Sequence, residues 1–141
     1  MQVDKIEIGT VVDHIPSGQA YNVMKVLGIG EHYKHRVAVV LNVPSKKSGT
    51  KDIVKIEGKV FLPDATGALG LICPEATVNI IKNGKVEKKY SITLPSKVVG
   101  LGRCPNPNCI CNEDKSSRFN LENKKYRCHY CERLFRADEL V

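Results

Sequence analysis

Along its first ninety or so positions the chain switches between the alternating pattern of a strand and the three-to-four spacing of a helix face. In VDKIEIGTVVDHI, Val3, Ile6, Ile8, Val11 and Ile15 sit among polar residues in partial alternation, which predicts a half-buried strand running toward Pro16. After the turn-forming PSG, Ala20, Val23, Met24 and Leu27 fall at i, i+3, i+4 and i+7. That spacing predicts a helix, with Ser17 as its N-cap and Gly28 and Gly30 near its end. HRVAVVLNV is a β-branched run that reads as a buried strand ended by Pro44. Beyond the loop SKKSGTK, DIVKIEGKVFL has strand composition again; Ile53, Ile56 and Val60 are its apolar positions, leaving Lys55 and Lys59 to face elsewhere. Residues 64–72, DATGALGLI, predict a weak helix, because two glycines lower its propensity. ATVNIIKNGKVEKKYSITL predicts two strands joined at Asn83-Gly84, the clearest hairpin signal in the chain.

The resulting order is strand, helix, strand, strand, helix, strand, with one strand added at the end. It predicts an α+β fold of the split βαβ or ferredoxin-like kind, an antiparallel sheet with two helices on one face. LPSKVVGLG, with a proline and two glycines, marks a boundary near residue 96, dividing the chain into domains 1–96 and 97–141. In the second domain the short runs RFNL, KYRC and RLF predict a small antiparallel sheet, so that this part is all-β.

Length and charge narrow the functional classes. The chain has 141 residues and a formal net charge of +7, enough for one ordinary domain and a small appended one. Residues 1–95 hold thirteen Lys and Arg against nine Asp and Glu (+4), and residues 96–141 nine against six (+3). The basic excess is thus spread along both parts, without the concentrated stripe of a nucleic-acid footprint. Asp4, Lys5 and Glu7 interrupt the N-terminus where a signal peptide is apolar, and no stretch is long enough to span a bilayer. The expectation is a cytoplasmic protein that binds neither membrane nor nucleic acid.

The densest chemistry lies between Cys104 and Cys131. CPNPNC separates Cys104 from Cys109 by four residues, and CHYC separates Cys128 from Cys131 by two. Two short spacings of this kind present four thiolates to one tetrahedral centre. The rival reading is a pair of disulfides. A disulfide contributes about 2–4 kcal/mol, whereas zinc bound to a small thiolate site contributes roughly 10–16 kcal/mol of apparent folding free energy. A small segment with few large apolar side chains favours the larger contribution, so one structural Zn2+ is expected, with no coordination position left for catalysis. Cys111, two residues after Cys109, could in principle replace it.

Outside that segment the candidates are weaker. Asp13 and His14 are adjacent, but neighbours on a strand point to opposite faces and are poorly placed as base and orienter. Lys55 and Lys89 could bind phosphate as point charges, against the blander reading of a solvated face. His32 and His35 have no third ligand at a matching spacing. Cys73, in an apolar setting before Pro74, reads as a buried thiol. A nucleic-acid-binding zinc ribbon lacks interleaved aromatics, with three Phe and five Tyr scattered along the chain. A small enzyme built on Asp13, His14 or Cys73 is a third class.

Taken together and in order, GTVVDHIP, NVPSKKSGTKDIVKIEG, PEATVNIIKNGKVEKK, CPNPNCI and YRCHYCER resemble the regulatory chain of aspartate carbamoyltransferase over nearly the whole length. The resemblance implies a non-catalytic subunit of pyrimidine biosynthesis. Its N-terminal domain would bind nucleotide effectors, CTP and ATP with UTP as a further candidate, and its zinc domain would hold it against the catalytic chain. The regulatory chains would pair into homodimers that bridge two catalytic trimers. Asp13, His14, Lys55 and Lys89 would then belong to the effector pocket, Lys89 with His14 meeting phosphate and Lys55 with Asp13 the ribose region. Val3, Asp4, Ile6, Asn79, Ile81 and Val86 would line the nucleoside. Gly84 departs from the pattern, standing where relatives can carry an aromatic, which leaves effector preference open. Asn106, Asn108 and Tyr130 inside the two knuckles, followed by Glu132 and Arg133, would face the partner.

Overall fold

The computed structural model describes residues 6–47, 49–61, 68–100, 102–113 and 116–140. Five strands form the first sheet: β1 (Gly9–Pro16), β2 (Val37–Ser45), β3 (Gly49–Glu57), β4 (Thr77–Lys82) and β5 (Lys85–Ser91). They lie in the order β2-β3-β1-β4-β5, and each neighbouring pair is antiparallel. One α-helix, α1 (Ala20–Val26), is found among the described residues. It lays Ala20 and Val23 on the inner face of the sheet, against a core that includes Val12, Ile15, Val54, Ile56 and Val78. Fully burying side chains of this size contributes about 1.5–3 kcal/mol each, which is what fixes the inner face.

Several elements differ from the sequence reading for identifiable reasons. The first strand begins at Gly9, not at Val3; Val3 and Asp4 lie outside the described residues, and Ile6 precedes the strand. Ser17 does not cap α1. Its hydroxyl bonds Thr50 Oγ1 at 2.6 Å, the N-cap position is Gln19, and the amides of Gly18 and Ala20 donate instead to Asp52 Oδ2 at 2.9 and 3.4 Å. β2 is an edge strand, half-exposed rather than buried, and it runs through Pro44 to Ser45. An edge tolerates proline because one side of the strand has no ladder to donate to. The expected helix over 64–72 is not seen as such: residues 62–67 lie outside the described set, and 68–71 form a single 3-10 turn.

Three β-bulges break the strict alternation. At β1 the register jumps between Val12 and Ile15, so both are buried though three residues apart, and His14 takes φ 58°. At β2 it jumps between Val40 and Val43, with Asn42 also at φ 58°. At the β4–β5 hairpin it jumps between the Ile80–Lys88 and Ile81–Val86 pairs. The hairpin turn is where Asn83-Gly84 predicted it, with φ 52° and 72°, the left-handed pair that an I′ turn requires.

A second sheet of four strands follows: β6 (Lys97–Val99), β7 (Arg118–Glu122), β8 (Lys125–Cys128) and β9 (Leu134–Arg136), in that order and antiparallel. Part of the stretch read as a linker is therefore strand β6. The second core contains Val98, Phe119, Tyr126, Leu140 and the cysteines, and it takes in Leu71 from the earlier part of the chain. Leu69, two residues before, is buried in the first core. The 3-10 turn at 68–71 thus reaches both cores, and the Tyr126 hydroxyl ties the second to the connecting segment by donating to the Pro95 carbonyl at 2.6 Å.

Candidate functional site

The inner face of the five-stranded sheet is occupied by the core, which leaves its outer face for chemistry. Paired residues on antiparallel strands share a face. Lys55 pairs Val11, Val11 pairs Asn79 and Asn79 pairs Lys89, so these four residues form one row across β3, β1, β4 and β5. None of the four is buried, whereas their inner-face neighbours Val54, Val12 and Val78 are fully buried. The next row along β1 holds Asp13, opposite Thr77 and Ser91; the row on the other side holds Ile81 with Val86. By simple alternation Val86 and Lys89, three apart, would point to opposite faces. The hairpin bulge brings both to the outer one.

Asp13 and His14 are joined differently from a catalytic pair. The His14 N–H donates to Asp13 Oδ1 at 2.6 Å, and the imidazole Nδ1 lies 3.2 Å from Thr77 Oγ1 and 3.9 Å from Asp13 Oδ1. The left-handed φ at His14 is what lets this local bond form. Lys51 Nζ approaches Asp13 Oδ1 at 3.0 Å, a partner that nothing in the linear sequence singles out. Burial pushes the Asp13 carboxyl up, but the Lys51 hydrogen bond, the His14 N–H and the charges of both residues hold it below the ordinary value of 3.8.

A cleft of about 730 Å³ lies beyond the end of β1, with His14, Lys47, Thr50, Glu75, Thr93 and Lys124 among its walls. Of the nucleotide-site candidates among the described residues, it takes in His14 alone. The basic row of Lys55 and Lys89 lies on the open sheet face instead. We centre the candidate site on that row, because charge and register, rather than depth, are what a polyanion requires.

The four cysteines meet as their spacing implies. The sulfurs of Cys104, Cys109, Cys128 and Cys131 lie within 4.8 Å of one another. Cys104 and Cys131 are 3.8 Å apart and Cys109 and Cys128 3.7 Å. Four thiolates around a tetrahedral ion with metal–sulfur bonds of about 2.3 Å stand about 3.8 Å apart, so these edges fit. A disulfide would bring a pair to about 2.05 Å, and all six cysteines are free.

Local hydrogen bonds shape the two knuckles. Cys109 N–H donates to the Asn106 carbonyl at 3.0 Å, and Asn112 Nδ2 donates to the carbonyls of Cys104 and Asn106 at 3.1 and 2.9 Å. The second knuckle closes through Glu132 N–H to the Cys128 carbonyl at 3.0 Å, with Glu132 at φ 62°.

Crowded thiols resist ionising together. Burial and the sulfurs of Cys131 and Cys128 push the Cys104 thiol up, with the Asn106 N–H opposing them. At Cys109 burial also pushes up, but the N–H of Cys111 and the neighbouring sulfurs bring it down to about 7. A divalent cation at the centre would replace the protons of the whole set. Cys111 stands outside the four, buried, its sulfur 3.3 Å from that of Cys109. Cys73 is a buried thiol, as its apolar setting implied. It donates to the Leu69 carbonyl and is pushed up to about 12 by burial.

Around the knuckles Asn108, Tyr130 and Glu132 are exposed, whereas Asn106 is half-buried and accepts the Asn108 N–H on its Oδ1 at 3.2 Å. Sequence reasoning passed over Ile110 and Leu134, exposed at 63% and 44%. Their signal was an apolar residue just beyond a metal-ligand pair, directly after Cys109 for Ile110 and three residues after Cys131 for Leu134, where a small module has little room to bury it.

Comparison with known proteins agrees on both parts of the chain. Residues 1–93 match the model of the aspartate carbamoyltransferase regulatory chain, allosteric domain, and residues 96–141 that of the same chain's metal binding domain. A chain from Methanococcus maripaludis is 47% identical over 141 residues, covering 97% of this chain and 94% of its own. One from Pyrococcus furiosus is 44% identical over 147 residues (100% and 96%), and one from Thermococcus gammatolerans 41% over 145 (100% and 96%). Each of the three is an aspartate carbamoyltransferase regulatory chain.

Proposed function

The chain belongs to the family of aspartate carbamoyltransferase regulatory chains, and from that premise we propose that it binds nucleotide effectors on the outer face of its first sheet and biases separate catalytic chains through its metal module. It is a regulatory and not a catalytic subunit of that pyrimidine-biosynthesis enzyme. The observation that carries the nucleotide reading is the row Lys55–Val11–Asn79–Lys89. It sets two ammonium groups on either side of an apolar and an amide side chain on one open face. Lys89 with His14 would meet phosphate oxygens, and Lys55 with Asp13 the ribose, Lys51 holding Asp13 as the acceptor. Asn79, Ile81, Val86 and the segment from Val3 through Asp4 to Ile6 would frame the base. Gly84 serves the turn at φ 72° and offers no ring to the base.

The sheet order β2-β3-β1-β4 supports a ferredoxin-like arrangement for domain 1–96, with 97–141 as the metal module. The four-thiolate set favours Zn2+, which takes this tetrahedral soft-ligand geometry without redox chemistry. When bound, the ion would fix the two knuckles and so present Asn108, Tyr130 and Glu132, with the half-buried Asn106 shaping the first knuckle, to the catalytic chain. Regulatory chains would pair as homodimers between catalytic units. No described helix is long and apolar enough to cross a membrane, and free thiols fit a reducing, cytoplasmic setting.

Regulation of this kind requires the effector to favour one quaternary state, by a coupling of about 1–3 kcal/mol on the usual scale. The test is co-purification with a catalytic chain, followed by carbamoyl-transfer assays with and without CTP and ATP. Nucleotide-dependent activity in the complex and none in the isolated chain is the expected result. A complex indifferent to both nucleotides would overturn the effector assignment.

A further inference from the structure

Five of the six cysteines gather in the metal module, one more than a tetrahedral site uses. Cys111 is buried in the 3-10 turn Ile110–Asn112, directly after the ligand Cys109, and its sulfur lies 3.3 Å from Cys109 Sγ. It is shorter than the sulfur–sulfur distances of 3.8 Å between Cys104 and Cys131 and 3.7 Å between Cys109 and Cys128. A cleft of about 310 Å³, walled by Gly100, Gly102, Arg103, Cys111, Asn112 and Ser117, reaches Cys111 from outside. A molecule the size of hydrogen peroxide can therefore approach a thiol that touches a metal ligand.

We propose that Cys109 and Cys111 form a peroxide-oxidisable pair, whose disulfide removes one ligand from the metal and loosens the module that faces the catalytic chain. This rests on the metal reading above. The chemistry balances with one peroxide. The Cys111 thiol, which lines the cleft, attacks a peroxide oxygen, the O–O bond breaks, and water leaves with the thiol proton, giving a sulfenic acid at Cys111. The Cys109 thiolate then displaces that hydroxyl; the S–S bond forms and hydroxide departs. Two electrons pass from the sulfurs to the peroxide, which ends as one water and one hydroxide.

Ligation decides which pair forms. A disulfide between two ligands would break two metal–sulfur bonds, whereas Cys109–Cys111 breaks one and draws on a thiol outside the ligand set. Three thiolates, Cys104, Cys128 and Cys131, would remain on the ion. A dithiol reductant would reverse the step by thiol–disulfide exchange.

The test uses the full chain loaded with zinc, whose metal content is measured first. Hydrogen peroxide is added with a chromophoric chelator present, and disulfides are mapped by mass spectrometry after alkylation of free thiols. Wild type should release metal and show a Cys109–Cys111 bond, and dithiothreitol with added zinc should restore the content. Cys111→Ser should hold one zinc and release it roughly tenfold or more slowly under peroxide. Release at the wild-type rate from Cys111→Ser, or disulfides confined to the pairs Cys104–Cys131 and Cys109–Cys128, would overturn the proposal. If Cys111→Ser and Cys111→Ala both fail to hold metal untreated, Cys111 is a structural part of the site and the proposal falls. Were the untreated wild type to hold no metal, the metal reading would fail, while the mapped bond would still decide for or against the pair.

Discussion

Asp52 and Gly18 join the sheet to its helix: the fully buried Asp52 carboxylate accepts the Gly18 N–H on Oδ2 at 2.9 Å. The same carboxylate takes the Ala20 N–H at 3.4 Å and, on Oδ1, the Asn42 N–H at 3.0 Å. It therefore serves the start of α1 and the bulge in β2 at once. Asp52→Ala strands three amide donors in or near the core, for a loss of about 2–4 kcal/mol. Urea unfolding should show that loss with metal content unchanged. A loss well under about 1 kcal/mol would mean that water replaces the carboxylate.

Lys55 and Lys89 test the nucleotide face. Each offers a charge-assisted bond to an anionic ligand, so Lys55→Ala and Lys89→Ala should each weaken CTP and ATP binding roughly 10- to 100-fold. Both side chains lie on the outer face, and folding should survive either change. Calorimetric affinities unchanged in both variants would remove the effector from this face.

Much of the fold could be read because the hydrophobic pattern and the Asn83-Gly84 turn act locally. Strand composition placed β2 to β5, and the spacing of four cysteines placed the thiol cluster. What escaped the sequence depends on distant partners. The bulges at His14, at Asn42 and near Glu87 reverse the face of everything beyond them, and no local propensity marks them. Ser17 has the chemistry of an N-cap but bonds Thr50, because Asp52, thirty-four residues from Gly18, already holds the helix start. Lys51 became the partner of Asp13 only through the pairing of β1 with β3.

The Asp13–Lys51 pair makes stability depend on pH. The folded Asp13 carboxyl lies below its ordinary value of 3.8, so the unfolded chain binds the proton more readily. The stabilisation is accordingly present above that value and is lost as the pH falls through the folded one. Lys51→Met should lower stability near neutral pH, and the gap to wild type should close as the solution is acidified past 3.8. Denaturant midpoints measured across the acid range check this. A gap that stays constant with pH would assign the loss to Lys51 packing rather than to its charge.

Metal removal tests which part of the chain the thiol cluster holds together. Cys128 is fully buried, pairs Phe119 across β7 and β8, and donates its N–H to the Arg133 carbonyl at 3.0 Å. Cys128→Ser or a strong chelator withdraws metal binding worth roughly 10–16 kcal/mol in sites of this kind. The second core, whose largest members are Phe119 and Tyr126, has too little apolar surface to offset that loss. The backbone amide spectrum of residues 97–141 should collapse while the five-stranded sheet keeps its own, since α1 and the inner-face valines form a separate core. Assembly with the catalytic chain should fail in step. Retention of one metal and of assembly in Cys128→Ser would show that Cys111 had moved into the ligand set, because it is the one remaining thiol of that core outside the four.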